Sequence, residues 1–361
     1  MSTSAHLFSP FTVRGVTLRN RIGVSPMCQY SSIDGALNDW HLVHLGTRAA
    51  GGAGLVIVEA TAVEPRGRIT AADAGLWADH QMEPLRRVVQ FIQTRGAVAG
   101  IQLAHAGRKA SAARPWEGGH SLSDAEGGWQ TIGPSALPFG GDLTRVPRAM
   151  TLEDIRSVQD SFRQATERAL AAGFQWLELH AAHGYLLHSF YSPLSNRRDD
   201  DYGGSFDNRI RFTLETARLM RKIWPEKYPM SVRLSCTDWV EGGWTLNDSV
   251  ELSRRLKSEG IDLIDCSSGF NTPDQTGYPF GAGFQVPLAE RIRREAGLAT
   301  AAVGYITQSM QADEIIRNGQ ADLVLMAREL LRNPYWPVQA ARELHAKKAI
   351  TLPVQYGRSE T

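Results

Sequence analysis

Eight short runs of nearly unbroken apolar residues recur along this chain, at 22–27, 55–60, 98–103, 176–182, 230–235, 263–268, 299–304 and 323–328. They do not alternate apolar with polar, so they suit strands covered on both faces. Amphipathic stretches separate them. Thr151-Leu-Glu-Asp154 and Thr245-Leu-Asn-Asp248 read as capping boxes that open helices, and Gly173 and Gly260 close helices just before the next run. Eight strand–helix units predict a (β/α)8 TIM barrel, with a doubly wound open sheet as the alternative. Segment 11–20, alternating around Arg14-Gly15, predicts an N-terminal hairpin across the barrel bottom. Residues 1–361 read as one barrel domain ending in a tail at 344–361. Residues 104–150 break the rhythm with Gly118-Gly119, Gly127-Gly128 and Gly140-Gly141. So long an excursion behind the third strand predicts an active-site loop.

Composition excludes several classes. The 39 Lys and Arg nearly cancel 38 Asp and Glu, which argues against a general nucleic-acid or membrane-surface binder. Cys28, Cys236 and Cys266 are too scattered for a disulfide framework or a cysteine zinc site. The N-terminus lacks a secretory pattern, and no window approaches the roughly 20 apolar residues of a membrane span. A cytoplasmic protein is expected.

In such a barrel the chemistry lies at the carboxyl ends of the strands. There the chain offers Pro26-Met27-Cys28-Gln29-Tyr30, Gln102, Arg108-Lys109, His180-Ala-Ala-His183-Gly-Tyr185, Arg233, Gly304 and Ala327-Arg328. A single histidine at a strand end is commonly structural, and Cys28 alone reads as a small core residue. Arg233 is harder to set aside. A guanidinium in an apolar strand needs a partner, whether a buried carboxylate, an electron-rich ring edge or a phosphate. Gln102 could serve the same planar group with donor and acceptor. Other signatures are weak or missing. His180 and His183 make half a metal site with no further ligand at matching spacing, so no metal is expected. There is no phosphate-binding P-loop and no Gly-x-Ser-x-Gly elbow, and Gly51–Gly54 precedes a strand instead of following one. The run 197–201, Arg-Arg-Asp-Asp-Asp, reads as solvated loop charge.

Five stretches together resemble the Old Yellow Enzyme family of FMN-dependent ene-reductases, in its bacterial branch of xenobiotic reductases and thermophilic-like NADPH dehydrogenases. They are Ser25-Pro-Met-Cys-Gln-Tyr30, Gln102-Leu-Ala-His-Ala-Gly-Arg-Lys-Ala110, His180-Ala-Ala-His-Gly-Tyr185, Tyr202-Gly-Gly-Ser-Phe-Asp-Asn-Arg209 and Glu329-Leu-Leu-Arg-Asn-Pro-Tyr-Trp336. The resemblance spans essentially the whole chain. It implies tightly but non-covalently bound FMN, and NADPH as reductant with NADH a weaker substitute. Ser25, Pro26, Met27 and Ala60 would line the flavin, Cys28 would tune it, and Gln102 and Arg233 would meet its pyrimidine side. Gly304, Ala327 and Arg328 would hold its phosphate. The implied reaction reduces the C=C bond of an α,β-unsaturated carbonyl compound, or a nitro compound or quinone, by ping-pong hydride transfer. His180 and His183 would bind the substrate oxygen, Tyr185 would donate the proton, and Tyr30 and Tyr305 would shape the pocket. Lys109 would stand near the flavin or the nicotinamide, behind the groups that touch them. The relatives' C-terminal arginine matches Arg358, which would reach the neighbouring site in a homodimer or a tetramer of dimers. Position 305 is Tyr where the xenobiotic reductases carry Trp. Two other readings use the same barrel: a metal- or Schiff-base-dependent lyase on His180, His183 and Lys109, and a flavin-binding module without turnover.

Overall fold

The computed structural model describes residues 6–274 and 276–360, and in it eight parallel strands close into a barrel. They are β1 (Ile22–Val24), β2 (Leu55–Ala62), β3 (Val98–Ala104), β4 (Trp176–Ala181), β5 (Met230–Ser235), β6 (Leu263–Ser267), β7 (Ala299–Ala302) and β8 (Leu323–Met326). Each pairs with the next, and β8 returns to β1, so the open-sheet alternative is set aside. Around them lie α1 (Asp39–Ala50), α2 (Met82–Thr94), α3 (Leu152–Ala171), α4 (Phe206–Ile223), α5 (Leu246–Ser258), α6 (Val286–Ala296), α7 (Ser309–Arg317) and α8 (Trp336–Glu343). Both expected capping boxes form, Thr151 with Asp154 and Thr245 with Asp248. Gly173 and Gly260 follow their helices at φ 96° and 85°, where a β-carbon would be strained. The first apolar run is longer than its strand. Ser25 N–H still donates to Met326 O at 3.0 Å, but Pro26 has no N–H to extend the ladder.

The hairpin Phe11–Val13/Val16–Leu18 forms as expected. Its Val16 and Leu18 pack with Leu55, Val98, Trp176, Leu263 and Leu323, residues at the strand starts, and so plug the lower lumen. Above this apolar plug the lumen turns polar.

The excursion after β3 is pinned at several points. Trp129 Nε1 donates to Arg66 O at 3.0 Å, and the Arg68 guanidinium lies 5.4 Å and 5.1 Å from the Trp77 and Trp129 rings. Arg198 corrects the reading of 197–201 as solvated charge. Its half-buried guanidinium donates to Met150 O at 2.6 Å and Pro134 O at 3.1 Å, fastening the β4 loop to the excursion. Among the described residues no helix is long and apolar enough to cross a membrane.

Candidate active site

The polar lumen is a network. Gln102 Nε2 donates to Glu178 Oε1 at 2.9 Å, and Ser231 Oγ donates to Glu178 Oε2 at 3.0 Å. Arg233 Nε lies 3.1 Å from Asp265 Oδ2, its register partner on β6, while Nη1 crosses the lumen to Ser25 Oγ at 3.2 Å. Asp265 is fully buried, and its oxygens receive no geometrically sound hydrogen bond. Asp265 is thus paired with the guanidinium, and buried Glu178 feels the charges of both at longer range. Burial first, and then Asp265, push Glu178 up to about 8, against the pull of Arg233. Burial likewise raises Asp265, again opposed by Arg233. Neither carboxyl was singled out from the sequence.

A pH test follows from the sign of the Glu178 shift. Its folded-state value lies above the unfolded one near 4.5, so its contribution to stability is complete below about pH 4.5 and is lost as pH rises towards 8. Glu178→Gln is neutral throughout and keeps the shape. Its Tm is expected to match the wild type at pH 5 and to exceed it by about 3 °C or more at pH 9. A difference independent of pH would contradict the shift.

The next level holds the aromatic and imidazole groups. His180 Nδ1 accepts the Ala182 N–H at 3.2 Å, which leaves the proton on Nε2. His183 Nε2 meets Ser267 Oγ at 2.6 Å. The two imidazole rings stand edge to face at 5.2 Å, and His180 meets the Tyr185 ring at 5.0 Å. Burial, and next Arg233, hold both histidines well below the ordinary imidazole range, so they act as neutral groups. Burial raises the Tyr185 phenol well above its ordinary value, so it keeps its proton.

Lys109 Nζ donates to His183 O at 2.8 Å and to Phe270 O at 3.3 Å, two residues in left-handed backbone at φ 60° and 64°. The same ammonium lies 5.1 Å from the Tyr185 ring and 4.4 Å from Phe139. Burial, then Arg108, lower it to about 7, while two carbonyls and two ring faces favour the charged form. An amine committed to these contacts is poorly placed for a Schiff base.

Cys28 and Tyr30 lie close together, within electrostatic reach of Tyr185. Burial, then Glu59 and Asp73, raise the Cys28 thiol, so it is not a thiolate. Ala60 is buried on β2 directly after the bulge residue Glu59. Trp116, from the excursion, meets the Tyr30 ring edge to face at 6.0 Å. Neither Trp116 nor Glu59 was picked from the sequence.

A cleft runs from Arg233 and Ser267 past Gly304 and Tyr305 to Ala327 and Arg328. Gly304 sits at φ 112°, and a β-carbon there would stand 2.6 Å from Gln285 Nε2. Arg328 is exposed, lies 4.6 Å from the Tyr305 ring, and has no carboxylate partner among the described residues. Pro26 and Met27 follow β1 at the same end of the barrel. Arg358 is elsewhere. Residues 351–355 line a groove with Arg19, Arg95 and Gly96, where the strands begin, and exposed Arg358 follows in the turn Val354–Glu360. Among the described residues no group of three or more His, Cys, Asp or Glu could hold a metal.

A parallel barrel with its polar residues gathered at the carboxyl ends of the strands has the layout of a (β/α)8 enzyme. Residues 6–347 match the model of the NADH:flavin oxidoreductase / NADH oxidase family, and the chain belongs to that family of oxidoreductases. It is 50% identical over 355 residues to an NADPH dehydrogenase of Geobacillus sp. (strain WCH70), covering 98% of each chain. Among solved structures it resembles morphinone reductase, with a TM-score of 0.79 and 27% identity over 95% of this chain and 91% of that one. It also resembles the old yellow enzyme homologue from Zymomonas mobilis, with a TM-score of 0.76 and 26% identity over 96% and 94%.

Proposed function

We propose that the protein is an FMN-dependent NADPH oxidoreductase that reduces the activated C=C bond of α,β-unsaturated carbonyl compounds, and nitro compounds or quinones as secondary acceptors. The observation that carries this reading is the gathering of two neutral imidazoles and a protonated phenol in mutual ring contact, within electrostatic reach of one buried guanidinium.

The residues fit a flavin nucleotide. Arg233 brings positive charge up from the lumen, with a single sound hydrogen bond to Ser25, and so has donors to spend on an electron-rich ring edge. Arg328 and Gly304 stand at the far end of the same cleft, the usual phosphate position of a barrel. Ser25, Pro26, Met27, Cys28, Ala60 and Gln102 would complete the cradle. When bound, FMN supplies two-electron chemistry, accepting a hydride from NADPH (NADH less readily) and passing one to the second substrate.

The protein's own contribution is binding, polarisation and a proton. His180, with its proton on Nε2, would donate to the carbonyl oxygen of an enone. His183 would do the same through Nδ1, with Nε2 accepting from Ser267. Neutral donors aimed where negative charge grows lower the barrier without charge of their own to desolvate. Tyr185 would then deliver its proton to the α-carbon. Tyr30, Trp116 and Tyr305 would shape the pocket. Arg358 would complete the site of a neighbouring subunit, in a dimer or a tetramer built from dimers, within a cytoplasmic setting. A fully active monomer would contradict that assembly.

The purified protein is expected to be yellow, to release one FMN per chain on heating, and to bleach when NADPH is added without oxygen. A colourless, zinc-containing protein would overturn the reading, and flavin that NADPH cannot bleach would leave only a binding module.

A further inference from the structure

Tyr30 stands in the left-handed region at φ 50°, a conformation that costs a residue with a β-carbon. Its neighbours on both sides are tied down. The Gln29 N–H donates to Glu59 Oε2 at 2.6 Å, and the Gln29 side chain bridges Met27 O at 2.8 Å and Trp40 Nε1 at 3.1 Å. On the other side Asn38 Nδ2 donates to Ser31 O at 2.7 Å, and the Ser32 N–H donates to Ala72 O at 2.9 Å. Glu59 is 3% exposed, at the register shift between Val58 and Ala60. Its Oε1 lies 3.2 Å from His41 Nε2 on α1. His41 Nδ1 accepts the Asn38 N–H at 3.2 Å, so Nε2 carries the proton towards Glu59. Asn38, His41, Glu59 and Gln29 thus form one chain of contacts around the strained residue. A carboxylate buried this deeply is costly unless its bonds are used, and the oxygen-binding and proton-donating groups do not use it.

We propose that Glu59 is a positioning residue for the substrate pocket. Its carboxylate, oriented by His41, holds Gln29 so that Tyr30 keeps its left-handed backbone and its ring stays against Cys28 and Trp116. Asn38 grips the same turn from the far side. This rests on the reading of Tyr30 as a pocket wall.

The test titrates holoenzyme with p-hydroxybenzaldehyde and follows the long-wavelength band that a phenolate produces over oxidised flavin. Glu59→Leu, which removes the acceptor, is expected to raise the Kd about tenfold with FMN content unchanged. Glu59→Gln keeps an acceptor oxygen and should stay within about threefold of the wild type. Asn38→Asp still caps α1 but cannot donate to Ser31 O, so it should also weaken binding. It carries the test alone if Glu59→Leu does not fold. In a Tyr30→Gly background, where glycine takes the left-handed backbone freely and no ring remains to be aimed, Glu59→Leu should add nothing. An effect that persists undiminished in that background marks Glu59 as merely structural and overturns the proposal. Normal binding in both Glu59→Leu and Asn38→Asp, with weak binding in Tyr30→Gly, overturns it too while leaving the oxidoreductase reading intact. Normal binding in Tyr30→Gly removes the premise.

Discussion

Tyr185→Phe is expected to slow enone reduction by about 10²–10⁴-fold while FMN stays bound and NADPH still reduces it at close to the wild-type rate. The substitution deletes one hydroxyl and little else. The edge-to-face contact with His180 and the ammonium of Lys109 over the ring both survive in phenylalanine. What is lost is a half-buried phenol whose raised pKa keeps its proton in place across the working range. That proton is needed only when the α-carbon of the substrate must be protonated, so only the second half of the cycle should suffer. Rapid mixing separates the halves. Equal slowing of both would show that Tyr185 shapes the site and does not supply the proton.

Arg233→Met should be the most damaging single change in the lumen. It leaves Asp265 fully buried, with Glu178 beside it, and no cation between them. Breaking a buried pair in this way typically costs about 3–5 kcal/mol. FMN affinity should fall at least about a hundredfold as well, because the charge facing the cofactor is gone. The two effects can be separated. Arg233→Met combined with Asp265→Asn removes the stranded carboxylate, and should recover most of the stability without recovering FMN binding. Denaturant melts of the apoprotein and fluorescence titration with FMN measure them independently. If the double variant regained FMN affinity, Arg233 would be a lumen residue only.

The barrel was legible because its strands are covered on both faces, which leaves continuous apolar runs between capped helices. The need of Arg233 for a partner was legible too, since a guanidinium in such a run cannot stay uncompensated. The partner itself was not read, although Glu178 and Asp265 sit in apolar runs just as Arg233 does. Applying the same desolvation argument to them would have found both. Glu59 is different. Its hold on Gln29 depends on a β-bulge between Val58 and Ala60 that no residue in the sequence marks. Trp116 lies 86 positions from Tyr30, in a segment without periodicity, so only the folded excursion brings the rings together. Arg198 was misread because runs of mixed charge are commonly solvated, whereas here its Nη1 is spent on two carbonyls of the excursion while Asp200 holds the rest of the guanidinium.

Holoenzyme reduced anaerobically by one equivalent of NADPH can be mixed with 2-cyclohexenone and its flavin absorbance followed while the product is identified. Yellow colour is expected to return in a single turnover, at a rate that rises with enone concentration, with one cyclohexanone formed per FMN. Colour that returns no faster than in buffer, or returns without the saturated ketone, would contradict it.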